Sequence, residues 1–358
     1  MRISDRHISN RNKPYLIAEL GVNHDGSLER ALELTRAVAR AGADAVKLQL
    51  FDADLLMSRA SKLAAYQRAA GETDPVEMLK RLQLSMDDMG TVVELAHRCN
   101  LQAIVSVFSV ELVEEAERLP WDAYKTASPD IINKPLLTAL ADTGKPLIVS
   151  TGASTLREVG RALKWLRDAR GRVGVLQCVS SYPTLIQQAE LAGIATLQEI
   201  FDGPVGYSDH STDTRTGAWA VNMGACILEK HVTYDRAAQG PDHAASLTPD
   251  QFCTYHDRIL SAHSAGEVPE SAIGDGKRVL PCEEDVRRLS RQSLTTTRCL
   301  EAGHLLSRHD LTIKRPGTGI EPFRLDDVIG MRLLHRVEAD MPLMQDALSD
   351  SREMTAAA

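Results

Sequence analysis

The sequence predicts a (β/α)8 barrel followed by a small C-terminal domain, on three observations. Eight short β-branched runs alternate with longer stretches of helical hydrophobic periodicity, and eight units in about 260 residues match such a barrel in count and length. The alternation stops near residue 264, where the segments shorten and turn residues gather. No Gly-rich dinucleotide fingerprint follows the first strand: Leu20-Gly21-Val22-Asn23-His24-Asp25-Gly26 has the wrong spacing. An open doubly wound sheet remains the second choice, since alternation alone does not prove closure.

In chain order, the strand-like runs are residues 15–19, 45–50, 102–107, 122–127, 146–150, 173–179, 204–207 and 226–231. Helical patterns follow them, for example at 27–41, 86–99, 133–142, 155–168 and 212–223. The interval 51–85 is unusually long and holds Lys62, Tyr66, Gln67 and the polar Gly71-Glu72-Thr73-Asp74. Binding loops grow at such places in barrels, so a lid is expected there. Gly274-Asp275-Gly276-Lys277 and Pro281 read as a linker. The expected division is a barrel at 1–265, a linker at 266–288 and a compact domain at 289–350. That last domain has few aromatics and needs the barrel or another subunit to lean on.

Hydrophobic content of 43% and charged content of 25% describe an ordinary globular chain, with disorder expected only at 355–358. A net charge of −8 argues against a nucleic-acid binder, yet a local cluster of Lys and Arg can still hold a phosphate. The six cysteines form no CxxC pair and no zinc spacing, which fits reduced thiols. The start, Met1 to Arg6, lacks the apolar run of a signal peptide, and no stretch approaches ~20 apolar residues. A cytoplasmic protein without membrane or nucleic-acid partners is expected.

Active sites of these barrels lie at the C-terminal strand ends. Those positions hold Glu19 with Asn23-His24, then Lys47 and Gln49, Ser106 and Phe108, and Lys125 with Ser128 and Asp130. Ser150-Thr151-Gly152, Ser180-Ser181-Tyr182, Ser208-Asp209-His210, Glu229-Lys230-His231 and Gly240-Pro241-Asp242-His243 follow. Lys47, Lys125, Ser128, Ser150 and Ser208 suit the oxygens of a phosphate and a carboxylate. His210, His231, Glu19 and Asp242 suit either one divalent metal or acid–base work. Together they suggest carbon–carbon bond formation through an enol. Singly, each has a plainer reading: a lone Lys is usually a surface or ion-paired group, and His7, His97, His256 and His263 read as structural. Cys178 reads as packed and Glu114-Glu115 with Glu117 as a solvated helix face.

The runs Ile17-Ala18-Glu19-Leu20-Gly21-Val22-Asn23-His24, Val46-Lys47-Leu48-Gln49, Tyr124-Lys125-Thr126-Ala127-Ser128, Val149-Ser150-Thr151-Gly152, Tyr207-Ser208-Asp209-His210, Glu229-Lys230-His231 and Gly240-Pro241-Asp242-His243 stand in order. This series resembles the N-acetylneuraminate (sialic acid) synthase family, which includes legionaminic and pseudaminic acid synthases and spore-coat polysaccharide synthases. The tail resembles that family's antifreeze-like (SAF, β-clip) domain.

The resemblance implies a metal-dependent transferase joining phosphoenolpyruvate, an N-acetylated amino sugar (N-acetylmannosamine first) and water into a sialic-type acid and phosphate. It implies that Lys47, Lys125, Ser128, Ser150 and Ser208 bind phosphoenolpyruvate, with Gln49 nearby and Ser180 as a further phosphate donor. His210 and His231 would hold Mn2+ or Mg2+. Glu19, Asp130, Tyr182, Glu229 and Asp242 would contact the sugar or move protons. Arg315 would reach from the tail into the partner subunit's barrel, which makes a domain-exchanged homodimer the expected assembly. Ser180 stands where Asn is frequent in the family, Asp130 where Glu is common, and Gln292 where a second Arg often follows Arg291. The alternatives are the same chemistry on a 2,4-diacetamido or phosphorylated sugar and, more remotely, a non-catalytic carbohydrate-binding protein.

Overall fold

A computed structural model describes residues 1–262 and 267–352; the expected boundary at 265/266, His263 and the expected disorder at 355–358 lie outside the described residues. A short hairpin, β1 (Arg2–Ile3) and β2 (Arg6–His7), precedes the barrel. The eight barrel strands are β3 (Tyr15–Gly21), β4 (Ala45–Leu50), β5 (Gln102–Val107), β6 (Ala123–Thr126), β7 (Leu147–Ser150), β8 (Val173–Cys178), β9 (Val205–Asp209) and β10 (Ile227–His231). All neighbours pair in parallel, and β10 pairs with β3 from Ile227↔Tyr15 to His231↔Glu19. The sheet is a closed barrel, not an open one.

Strand alternation separates two cores. Leu16, Ala18, Val46, Leu48, Val105, Val149 and Leu228 point outward against the helices. Tyr15, Ile17, Ala45, Ile104, Ile148 and Ile227 point inward and, with Ile3 and Ile8 from the hairpin, fill the lower barrel. The upper layer of the interior is therefore left to polar side chains. The helices begin at side-chain caps: Ser27 for Leu28–Arg40, Ser85 for Met86–Arg98, Asn133 for Lys134–Asp142 and Thr155 for Leu156–Trp165. The helix expected at 212–223 forms later, at Thr216–Asn222, because Asp213 accepts the Arg215 N–H at 2.7 Å and holds a turn there.

Interval 51–85 folds into three short helices, Ala53–Leu56, Ala65–Ala69 and Pro75–Leu82, over the barrel mouth. Beyond the barrel, β11 (Ser293–Thr296) pairs with β12 (Leu311–Lys314), and β13 (Met331–Leu333) pairs with β14 (Leu348–Arg352). These small sheets enclose an aliphatic core that includes Leu294, Leu306, Ile313, Val328, Leu333 and Leu343. The domain leans on its own barrel: Phe323 packs on Trp165, Arg161 lies 3.8 Å from the Phe323 ring centre, and Met57 bridges Arg315. Among the described residues, no helix is long and apolar enough to cross a membrane.

Candidate active site

One cavity at the barrel mouth gathers Glu19, Lys47, Gln49, Lys125, Ser128, Ser150, Ser180, Tyr182, Ser208, His210, Glu229, His231, Asp242 and Arg315. Every expected site residue but Asp130 lines it. They meet because alternate residues of each strand point inward above the aliphatic layers.

Two lysines and two carboxylates form its floor. Lys47 Nζ lies 2.7 Å from Glu19 and 3.9 Å from Glu229, and donates to Ser106 Oγ at 2.9 Å. Lys125 Nζ lies 3.2 Å from Glu229, whose Oε1 also accepts from Ser208 Oγ at 2.9 Å. All four charged side chains are buried. Burial alone would raise the Glu229 carboxyl, but Lys125 and then Lys47 outweigh it and hold it well below the usual carboxylate range. Glu19 moves the other way, raised by burial and by the Glu229 charge in spite of Lys47 and its Gln49 hydrogen bond of 2.7 Å. The Lys47 ammonium is nonetheless favoured, because it feels both carboxylates at once. The environment thus pushes two like groups apart, holding Glu229 as the firmer anion and making Glu19 the weaker acid.

Beside this floor lies a cradle. Ser128 Oγ donates to Ser150 Oγ at 3.0 Å and accepts the Gly152 N–H at 2.9 Å. A Cβ at Gly152 would overlap Ser180 Oγ and come within 2.8 Å of Ser128 Oγ. Ser180 Oγ is buried and has no partner. Glycine therefore lets the Ser128 and Ser180 hydroxyls close on the backbone at Gly152, a convergence of donors whose chemistry suits phosphate oxygens. At the bulge between Glu19 and Gly21, Gly21 takes φ +53° and leaves room between Glu19, Gln49 and Asp242.

The third part is aromatic and imidazole. The His210 and His231 ring centres are 5.3 Å apart, with Tyr182 4.2 Å from His210 and Tyr66 5.0 Å from Tyr182. His210 Nδ1 meets the Val179 carbonyl at 2.8 Å, which directs Nε2 elsewhere. His231 Nδ1 is buried without a hydrogen bond, 3.5 Å from Asp242 Oδ2. This donor set fits one divalent ion completed by substrate or water oxygens; among the described residues no group of three or more His, Cys, Asp and Glu is placed to enclose an ion.

Behind the imidazoles, Lys230 and Asp209 point outward and pair at 2.8 Å with no exposure at all. Asp209 also accepts from Tyr255 at 3.1 Å and from Thr216. The pair bridges β9 and β10 and holds together the strands that carry His210 and His231. Asn23, His24 and His243 likewise serve the loops: Asn23 donates to Val232 O and Ser246, His24 accepts the Gly26 N–H, and His243 bridges Thr233 and Asp25.

One expectation needs correction. Asp130 is buried beneath the cavity lining, in the turn Ser128–Ile132, and neither carboxylate oxygen has a partner. Arg315 lines the cavity of its own chain, where Ser58 and Ser61 each donate to its carbonyl, at 2.6 and 2.9 Å.

Burial lifts Asp130 to about 7 against the opposing charges of Arg315 and Lys125. Its ordinary value is near 3.9, so between about pH 4 and 7 the native state binds more protons than the unfolded chain and stability falls as pH rises. Asp130→Asn is expected to raise the melting temperature at pH 8, removing at most roughly 4 kcal/mol of strain, and to change little at pH 4. Thermal denaturation at both pH values checks this; a lower melting point for the variant at pH 8 would contradict it.

Beside Phe108, which stands at an expected strand end, the cavity has an apolar wall of Val22, Phe51, Leu56, Met78, Leu79 and Leu82 that the sequence reading did not foresee. The helical spacing of Met78, Leu79 and Leu82 signalled it, yet equally describes an ordinary core face. Tyr66 and Gln67, expected in a lid, do line the cavity.

Known proteins share this architecture. The model of the NeuB family matches residues 34–268, and that of the SAF domain matches residues 291–349. The chain is 37% identical to the N,N'-diacetyllegionaminic acid synthase of Legionella pneumophila, over 92% of this chain and 93% of that protein. It is 31% identical to a pseudaminic acid synthase of Campylobacter jejuni, over 95% of this chain and 96% of that one. The crystal structure of the spore coat polysaccharide biosynthesis protein SpsE of Bacillus subtilis superimposes with a TM-score of 0.85 at 25% identity, covering 98% of this chain and 99% of that one. A closed barrel, its polar mouth, a SAF domain and these near full-length likenesses lead to one assignment: the chain belongs to the NeuB family.

Proposed function

We propose that the protein condenses phosphoenolpyruvate with the open-chain aldehyde of a 2-acetamido sugar and water, giving a nonulosonic acid and phosphate. The observation that carries this reading is the convergence of two buried lysines, the Gly152 hydroxyl cradle and two imidazoles in a single cavity. The cradle and Lys125 suit the phosphate, and Lys47 suits the carboxylate of the same small anion. Held there, the C3 carbon of phosphoenolpyruvate attacks the aldehyde carbon and positive charge develops at C2. Water adds at C2, its proton passing to Glu19, whose raised affinity for protons suits that task. The aldehyde oxygen, left as an alkoxide when C3 bonds, takes up that proton, and the tetrahedral intermediate expels phosphate as its C2 hydroxyl loses a proton and becomes the ketone. Glu229, kept anionic, stabilises the positive charge at C2. A Mn2+ or Mg2+ ion held by His210 and His231 would supply Lewis-acid polarisation of the aldehyde. Fixing two small reactants in one orientation removes about 7–11 kcal/mol of the barrier.

N-acetylmannosamine is the simplest sugar that this chemistry accepts. A second reading has its own support: the apolar wall of Phe51, Leu56, Met78, Leu79 and Leu82 suits the additional acetyl group of a 2,4-diacetamido sugar, and the Legionella relative is named an N,N'-diacetyllegionaminic acid synthase. Phosphate release from phosphoenolpyruvate with Mn2+ and each sugar in turn separates the two. Turnover with N-acetylmannosamine alone supports the first, turnover with the diacetamido sugar alone supports the second, and silence with every sugar would remove both.

A further inference from the structure

We propose that Glu283, in the segment joining the barrel to the SAF domain, is a positioning residue that sets the affinity for phosphoenolpyruvate by tying together the two loops of the phosphate cradle. The inference rests on the reading of the cavity as a phosphoenolpyruvate site.

Glu283 is fully buried, yet it does not line the cavity. Its Oε1 accepts the Ala153 N–H at 2.6 Å and the Ser180 N–H at 2.7 Å, while Oε2 accepts the Leu280 N–H at 2.9 Å. Ala153 follows Gly152 at the end of β7, and Ser180 lies just beyond β8. A single carboxylate oxygen therefore spans both loops whose hydroxyls ring the cradle. Hydrogen bonds from amides to a carboxylate are short and strong, so this tie fixes the Gly152 N–H and Ser180 Oγ relative to one another.

The same segment holds Ala153 from its other side. Arg287 and Arg291 donate to the Ala153 carbonyl at 2.5 and 3.1 Å, and both guanidinium groups pair with Glu158, at 2.8 and 2.7 Å. Ala153 has φ +50°, a left-handed conformation that a non-glycine residue keeps only when its surroundings impose it. Both of its backbone polar groups are gripped by residues 283–291, and these are the surroundings that impose it. The segment also reaches Arg315: the Gly317 N–H donates to the Arg288 carbonyl at 3.1 Å, two residues past Arg315. One strap thus orders the phosphate cradle and presents the arginine, so the loops do not have to be ordered when the anion binds.

Steady-state kinetics and calorimetric titration with phosphoenolpyruvate, on the full chain carrying Glu283→Ala or Glu283→Gln, test this. Glu283→Ala is expected to raise KM and Kd for phosphoenolpyruvate about tenfold, with kcat and the sugar KM changed less than about threefold. Glu283→Gln keeps an oxygen for the two loop amides and sets an NH2 against Leu280, so a rise of only about threefold is expected. Loss of fold alone would lower the active fraction for both substrates equally and would not produce that split. A folded Ala variant with wild-type affinity overturns the proposal; if that variant does not fold, a Gln variant with wild-type affinity does so. Wild-type protein that neither binds nor turns over phosphoenolpyruvate overturns the functional reading and the proposal together. Wild-type binding beside unaffected variants overturns the proposal alone.

Discussion

Lys47→Ala is expected to lower kcat/KM for phosphoenolpyruvate by about a hundred to a thousandfold, the scale of losing one preorganised charge in a water-poor site. Lys47 is 2% exposed and lies between Glu19 and Glu229, so no solvent ion readily takes its place. Its removal has two consequences that reinforce each other. The anionic substrate loses one of its two buried cations, and Lys125 alone faces two carboxylates. Those carboxylates then bind protons more readily, which takes away the anion at Glu229 and alters the proton carrier at Glu19. Breaking a buried ion pair by deleting one partner typically costs about 3–5 kcal/mol, so the melting temperature should fall as well. Kinetics on the fraction that remains folded distinguishes the two effects. Full turnover by folded Lys47→Ala protein would show that the phosphate and carboxylate sites have been misassigned.

Removal of divalent metal is expected to abolish turnover almost completely, and added Mn2+ to restore it. The argument rests on the chemistry of the two imidazoles. Burial and then the neighbouring His210 push His231 well below the ordinary histidine range, so it stays neutral and keeps a free lone pair. The Val179 carbonyl engages His210 Nδ1 and leaves the opposite nitrogen available. His210→Ala should weaken Mn2+ binding about tenfold or more, read directly from the electron paramagnetic resonance of the free ion, and should lower turnover in parallel. Undiminished turnover after exhaustive chelation, or unchanged Mn2+ binding by the variant, would exclude a metal role for this pair.

Most of the barrel was legible in the sequence because its signals are local. Residues 45–50 and 102–107 read as strands and form β4 and β5 with those bounds, since short, mostly buried runs bounded by helical patterns need no distant information to be recognised. The other barrel strands moved by one or two residues, as at β9, which continues through Asp209. The N-terminal hairpin was not foreseen: two strands of two residues each carry no periodicity.

The sequence by itself determined which chemical groups stand at the strand ends and which of them face inward. With a side-chain period of two, Glu229 and His231 must share a face and Lys230 must take the other. Tertiary structure alone decided what those groups are to one another. Which of Glu19 and Glu229 is the weaker acid depends on through-space distances to Lys47 and Lys125, and those depend on how the barrel closes. The burial of Asp130, the contact of Arg315 with Ser58 and the grip of Glu283 on two distant loops likewise depend on packing between residues far apart in the chain. Local propensity carries no term for such contacts. Their energies exist only once packing has removed water and set the distances.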